Sequence, residues 1–234
     1  DFLQGAGITI WPILPLGIPL SGLSPYQCAS AFAVNPALFP GARADMRGFS
    51  SWRKKQHHWL DDYARFMVIK QEQGGAPWTD WPRELRDRDA QTLSAFDDSH
   101  AAALKAVMAE QYRSAVRGQT IRAAAAERGI RMFGDMPIFV AHDSADVWAQ
   151  RHLFLLDETG HPTVVTGVPP DYFSETGQRW GNPHYNWDMM QADGFAWWRA
   201  RLRAHFEWFD LVRIDHFRGL SAAWTIPASE PTAI

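Results

Sequence analysis

The chain has 234 residues, 46% of them hydrophobic and 21% charged, with a net charge of −3 and a pI near 6.3. That length can bury a sizeable core, and that balance excludes disorder as the bulk state. A nucleic-acid or membrane-surface partner would call for a basic face. The one basic cluster, Arg53-Lys54-Lys55, reads as a solvated helix face. No apolar stretch reaches the roughly 18 residues of a spanning helix. The single cysteine, Cys28, has no intrachain partner and reads as a small buried or half-buried side chain in a reducing, cytoplasmic setting. The opening Asp1-Phe2-Leu3-Gln4-Gly5 is neither a start methionine nor a signal-peptide leader, and it resembles the middle of a helix in a longer protein.

In chain order, a short helix over 1–6 precedes an apolar run over Ile8–Gly17, with Gly7 at the helix C-cap. A long, mostly helical insertion follows from Gly41 to Gly118. Within it, Trp52, Trp59, Tyr63, Phe66 and Met67 suit one face of a helix over 52–70. The alanine-rich run 93–116 is helical by propensity. A helix over 119–128, capped by Gly129, leads into the second apolar run, Ile130–Pro137. The segment 139–188 is dense in Gly, Pro and aromatics and reads as a long functional loop. A helix over 193–209 then feeds the third run, Leu211–Asp215. Helix, glycine cap and buried strand in repetition predict a parallel α/β sheet. A (β/α)8 barrel takes about 250 residues and eight strands, so three strands predict a portion of one. The division is 1–40 and 119–234 as partial barrel, with 41–118 as a helical insertion subdomain.

Asp215 ends the third run two residues after Arg213, so period-two alternation puts both on one face. A guanidinium beside a carboxylate favours the ionised form that a nucleophile needs. The same pattern also fits a structural ion pair at a strand end. Asp135 ends the second run in the same topological position; a shared polar pocket and a turn-capping role remain open for it. The segment Gly167–Pro183 combines stiff prolines, glycines, rings and acceptors that could wrap a hydroxyl-rich ligand, or form a merely rigid loop. Ser24-Pro25-Tyr26-Gln27 has similar character. Twelve tryptophans suit either sugar stacking or a Trp-rich core. No phosphate-binding glycine loop, CxxC, HExxH or GxSxG motif occurs. A carboxylate chemistry without metal or cofactor is what remains.

Taken together, Trp11–Pro36, Gly134–Val140, Asp143–Trp148, Gly167–Pro183 and Val212–Gly219 resemble the amylomaltases, the disproportionating 4-alpha-glucanotransferases. The runs Gly-Val-Pro-Pro-Asp-Tyr-Phe-Ser and Val-Arg-Ile-Asp-His-Phe-Arg-Gly are the most specific. The resemblance implies a partial TIM-type (β/α)8 barrel of the α-amylase kind and a retaining double displacement on maltooligosaccharides. Asp215 would be the nucleophile and Arg213 its orienting partner. Asp135 and His216 would contact the sugar before the scissile bond, and Ser24 and Tyr26 would line the donor side. Asp171, Tyr172, Phe173 and Trp180 would belong to a loop that covers the acceptor side and excludes water.

Two departures from the family pattern stand out: Leu16-Gly17-Ile18-Pro19-Leu20-Ser21-Gly22 replaces a usual Leu-Gly-Pro-Thr-Gly, and Val34 replaces a usual Gly. A retaining mechanism also needs a second carboxyl group about 5–5.5 Å from the nucleophile. The family draws this group from the next strand, and Glu230 is not at a matching position. The resemblance thus implies a fragment lacking the first barrel strand and everything after the fourth, inactive alone. A non-catalytic glucan-binding module and a retaining α-glucoside hydrolase of the same barrel type are the alternatives.

Overall fold

The computed structural model describes residues 1–234. Helix α1 (Phe2–Gly5) ends at Gly7, whose φ of +71° lets the chain reverse into strand β1 (Ile10–Ile13). Helix α2 (Phe49–Glu72) is the first long element of the insertion. After it come α3 (Arg83–Arg86), α4 (Ala90–Ser99), capped by the Asp89 carboxylate on the Thr92 amide at 2.8 Å, and α5 (Ala101–Ala126). Gly129, at φ +69°, turns the chain into strand β2 (Arg131–Met136). Helix α6 (Ala145–Ala149) precedes strands β3 (Val164–Val168) and β4 (Gln178–Pro183). Helices α7 (Trp187–Ala192) and α8 (Ala196–Trp208) lead to β5 (Leu211–Ile214), and β6 (Trp224–Pro227) follows.

The three expected strands form one parallel sheet in the order β1-β2-β5. Pro12 lies within β1, which pairs with β2 from Ile10 to Ile13. A second sheet was not expected. Strands β4, β3 and β6 pair antiparallel, so the segment read as a long loop carries a hairpin. The helices also differ in detail. The alanine-rich run breaks at His100 and then continues without interruption to Ala126, so the helices expected on either side of position 118 are one element. The last helix starts at Ala196, because Asp193 caps it from outside and Phe195 adopts a left-handed backbone.

The main core joins α2 and α4 of the insertion to the segment after β2 and to α8. Most of the tryptophans belong to this core or pack against it, Trp78, Trp81, Trp148 and Trp198 being buried. Arg201 is buried on α8, where Nη1 donates to the Ile138 carbonyl at 2.9 Å and its guanidinium lies over the Trp197 and Trp198 rings. The end of α8 presses two rings onto glycines: Trp208 covers Gly118 of α5, and Phe209 covers Gly134 of β2. Asp210 then ties the layers together, accepting from the Met132 amide at 2.9 Å and from Arg122 at 2.7 Å. This packing delivers the chain into β5 beside β2.

A methyl group at position 134 would collide with the Phe209 ring. Gly134→Ala is therefore expected to cost about 1–3 kcal/mol, read as a lower Tm; an unchanged Tm would mean that Phe209 can move freely. His205, on α8, is pushed down to about 4 by burial, with Arg201 adding to the effect. The unfolded chain, with an ordinary histidine near 6.5, then binds more protons between pH 6.5 and 4. Stability falls as pH drops through that window, by up to about 1.4 kcal/mol per unit. Denaturant titrations at pH 7, 6 and 5 check this, and His205→Gln is expected to flatten the dependence.

Candidate active site

The site grows from the register of two neighbouring strands. Asp135 on β2 pairs with Arg213 on β5, so the carboxylate and guanidinium stand side by side on one face. Alternation brings Asp215 to the same face two residues on, and its amide extends the ladder by donating to the Met136 carbonyl at 3.0 Å. Arg213 reaches both neighbours: Nη2 donates to Asp215 Oδ1, and Nε lies 3.5 Å from Asp135 Oδ1. The hydrogen bond to Asp215 pushes the Arg213 guanidinium above its usual range. The environments differ along the row. The Asp135 side chain is 9% exposed and that of Asp215 41% exposed, so Asp215 faces open space.

Tyr26 closes the row from the loop after β1. The turn Ser24–Gln27 is held by the Gln27 amide on the Ser24 carbonyl at 3.1 Å, and the Ser24 hydroxyl accepts from the Tyr26 amide at 3.3 Å. The Tyr26 hydroxyl donates to Asp135 Oδ2 at 2.6 Å. That bond, with burial and the negative charge of Asp135, pushes the phenol up to about 12, so it is a fixed donor at neutral pH. The other oxygen, Asp135 Oδ1, is buried and accepts no hydrogen bond.

Ser24, Tyr26, Trp180, Asp215 and His216 line one cleft of about 410 Å³. His216 has a φ of +51°, a left-handed backbone rare for a side-chain-bearing residue, and this turns its ring edge-on to Trp180 at 5.0 Å. The Trp180 indole N–H donates to Gln178 Oε1 at 3.0 Å. Asp171, Tyr172 and Phe173 stand apart from this cluster. They form the tip of the β3–β4 hairpin, where Asp171 accepts from the Phe173 and Ser174 amides at 2.9 Å. Tyr172 and Phe173 are 98% and 92% exposed and meet each other edge to face.

Gln27 and Asn182 also line the cleft; both lie in the runs read from the sequence as able to wrap a ligand, but neither stood out there as a site residue. Their side-chain amides pair with each other although the residues are 155 positions apart. No local pattern marks such a pair; adjacency to Tyr26 and Trp180 was the only signal. Nowhere do three His, Cys, Asp or Glu side chains converge as metal ligands, and no helix is long and apolar enough to cross a membrane.

A family model described as 4-alpha-glucanotransferase matches residues 38–234. The chain is 44% identical to a 4-alpha-glucanotransferase of Thermus thermophilus and 38% identical to one of Synechocystis, in both cases along all of this chain and 56% of the relative. It thus spans about half the length of the curated relatives it matches. Among solved structures, an amylomaltase from Streptococcus agalactiae in complex with acarbose superposes with a TM-score of 0.91 at 30% identity, over 100% of this chain and 57% of that one. The parallel sheet is accordingly a part of the barrel expected from the sequence. With these motifs, this fold and these relatives, the chain belongs to the 4-alpha-glucanotransferase family, glycoside hydrolase family 77.

Proposed function

We propose that the protein transfers α-1,4-glucan segments between maltooligosaccharides by a retaining double displacement centred on Asp215. The observation that carries this reading is the row Tyr26–Asp135–Arg213–Asp215, whose two ends, Tyr26 and Asp215, line the cleft. In the first step an Asp215 oxygen bonds to the anomeric carbon while the bond to the departing 4-oxygen breaks. That oxygen takes a proton from a second carboxyl group, the general acid. In the second step the 4-hydroxyl of an acceptor glucan attacks the same carbon, gives its proton back to that group, and frees Asp215. We assign the general acid to a glutamate on a further barrel strand, so the activity belongs to the full-length protein.

Arg213 orients Asp215 and holds negative charge beside the reacting carbon. Asp135, held by the Tyr26 hydroxyl and beside Arg213, is assigned to the same sugar subsite as His216. Ser24 and Tyr26 form the donor wall and Trp180 the acceptor wall. The exposed hairpin tip with Asp171, Tyr172 and Phe173 is assigned to covering the bound acceptor, which keeps water from the intermediate. A half-buried free thiol, Cys28, suits a reducing compartment, and we place the reaction in the cytoplasm, on glucans derived from starch or glycogen. Neither nucleic acid nor membrane enters the scheme.

Full-length protein incubated with maltotriose is expected to yield glucose together with oligomers longer than the substrate. Glucose and maltose alone would instead mark a hydrolase, and binding without turnover a glucan-binding module. Asp215→Asn keeps the shape and removes the nucleophile; it is expected to lower turnover ~10³-fold or more, equivalent to about 4 kcal/mol of barrier. Unaltered turnover in that variant would refute the assignment. Tyr26→Phe deletes one hydrogen bond to Asp135 and is expected to reduce kcat/KM roughly tenfold.

A further inference from the structure

The two walls of the cleft come from distant parts of the chain and from different sheets. Tyr26 lies in the loop after β1, and Trp180 lies on β4 of the antiparallel sheet. Direct hydrogen bonding between residues 24–28 and that sheet runs through one side chain, Gln27. Gln27 Nε2 donates to Asn182 Oδ1 at 2.8 Å and to the Trp180 carbonyl at 3.3 Å. Asn182 answers: Nδ2 donates to Gln27 Oε1 at 3.3 Å and to the Val140 carbonyl at 2.7 Å.

We propose that the reciprocal amide pair of Gln27 and Asn182 is a clasp that fixes the separation of the two cleft walls and so positions the acceptor sugar. This rests on the glucan-transfer reading above. Each side chain lies next to a wall residue, Gln27 beside Tyr26 and Asn182 two positions from Trp180. The pair has one permitted arrangement. Turning the Asn182 amide over would set its oxygen against the Val140 carbonyl, and turning Gln27 over would set its oxygen against the Trp180 carbonyl. Asn182 is only 4% exposed, so water cannot relieve the first of these clashes.

The clasp reaches a third element as well. Val140 belongs to the segment that leaves β2 after Asp135, so one amide pair joins the loop after β1, the exit of β2, and β4. Trp180 is then held from several directions: its carbonyl by Gln27, its indole N–H by Gln178 at 3.0 Å, and its ring edge-on by His216. Every polar atom of the clasp is already engaged within it. Gln27 and Asn182 are therefore positioning residues that act through Tyr26 and Trp180. A misplacement of about 1 Å at a reacting centre can cost ~10²-fold in rate, and transfer is more sensitive than hydrolysis because a sugar needs a shaped wall and water does not.

The test uses the full-length protein, with maltotriose as donor and labelled glucose as acceptor. Gln27→Leu is the first variant, at a half-buried position; Asn182→Asp, isosteric but without N–H donors, is the second, and Tm is recorded for both. The expected result in either folded variant is an acceptor KM raised roughly tenfold, the cost of about one net hydrogen bond, a smaller change in kcat, and a several-fold larger share of hydrolysis. A transferring wild type whose folded variants keep the acceptor KM and the hydrolysis share overturns the clasp alone. So does a loss that only tracks Tm. A wild type that transfers nothing overturns the functional reading and the clasp with it.

Discussion

The site depends on one cation shared by two anions. Arg213 sits in register with Asp135 and two residues from Asp215, and its guanidinium faces both carboxylates. Without it, two negative charges would stand together at the end of a sheet, and Asp215 would lose the hydrogen bond that orients it. Arginine suits the position because its planar fork can address two acceptors at once, which a lysine ammonium at the same place could not do with fixed geometry. The contacts are not equivalent. Asp215 receives a true hydrogen bond, whereas Asp135 receives a longer ionic contact and takes its hydrogen bond from Tyr26. The shared cation thus leaves one carboxylate open to the cleft and the other largely enclosed.

This arrangement is only as good as the strand register beneath it. A slip of one residue between β2 and β5 would turn Arg213 away from Asp135. The register is guarded from behind by Phe209 against Gly134 and by Asp210 bonded to Met132. Side chains on the far side of the sheet therefore set the geometry of the charged row.

The parallel strands were legible because β-branched runs followed glycine-capped helices, and Gly7 and Gly129 do adopt the left-handed backbone their places suggested. Arg213 and Asp215 were legible through period-two alternation. The antiparallel sheet was missed: Gln-Arg-Trp-Gly-Asn-Pro in β4 has neither alternation nor a β-branched residue, although β3, with Val164, Val165, Thr166 and Val168, carries a local strand signal interrupted only by Gly167. β4 exists because it pairs with β3, which is tertiary information. The Gln27–Asn182 pair was hidden for the same reason, since two amides 155 positions apart leave no trace in local pattern. The abundance of tryptophan was ambiguous, and the structure divides it: four rings fill the core and Trp180 alone lines the cleft.

The uninterrupted run of α5 has a consequence for how such a chain can change length over time. Its middle packs Tyr112 against Phe49 and Trp52, and further along Gly118 sits under Trp208. Adding or deleting one residue between those contacts would rotate everything downstream by about 100° and shift it by about 1.5 Å along the axis. Gly118 would leave Trp208, and the entry into β2, with Asp135 on it, would turn with the helix. Insertions and deletions in this part of the molecule are therefore tolerable in the connections around α3 and before α2, and not within α5. The helix acts as a fixed ruler between the outer helices and the strand that carries Asp135.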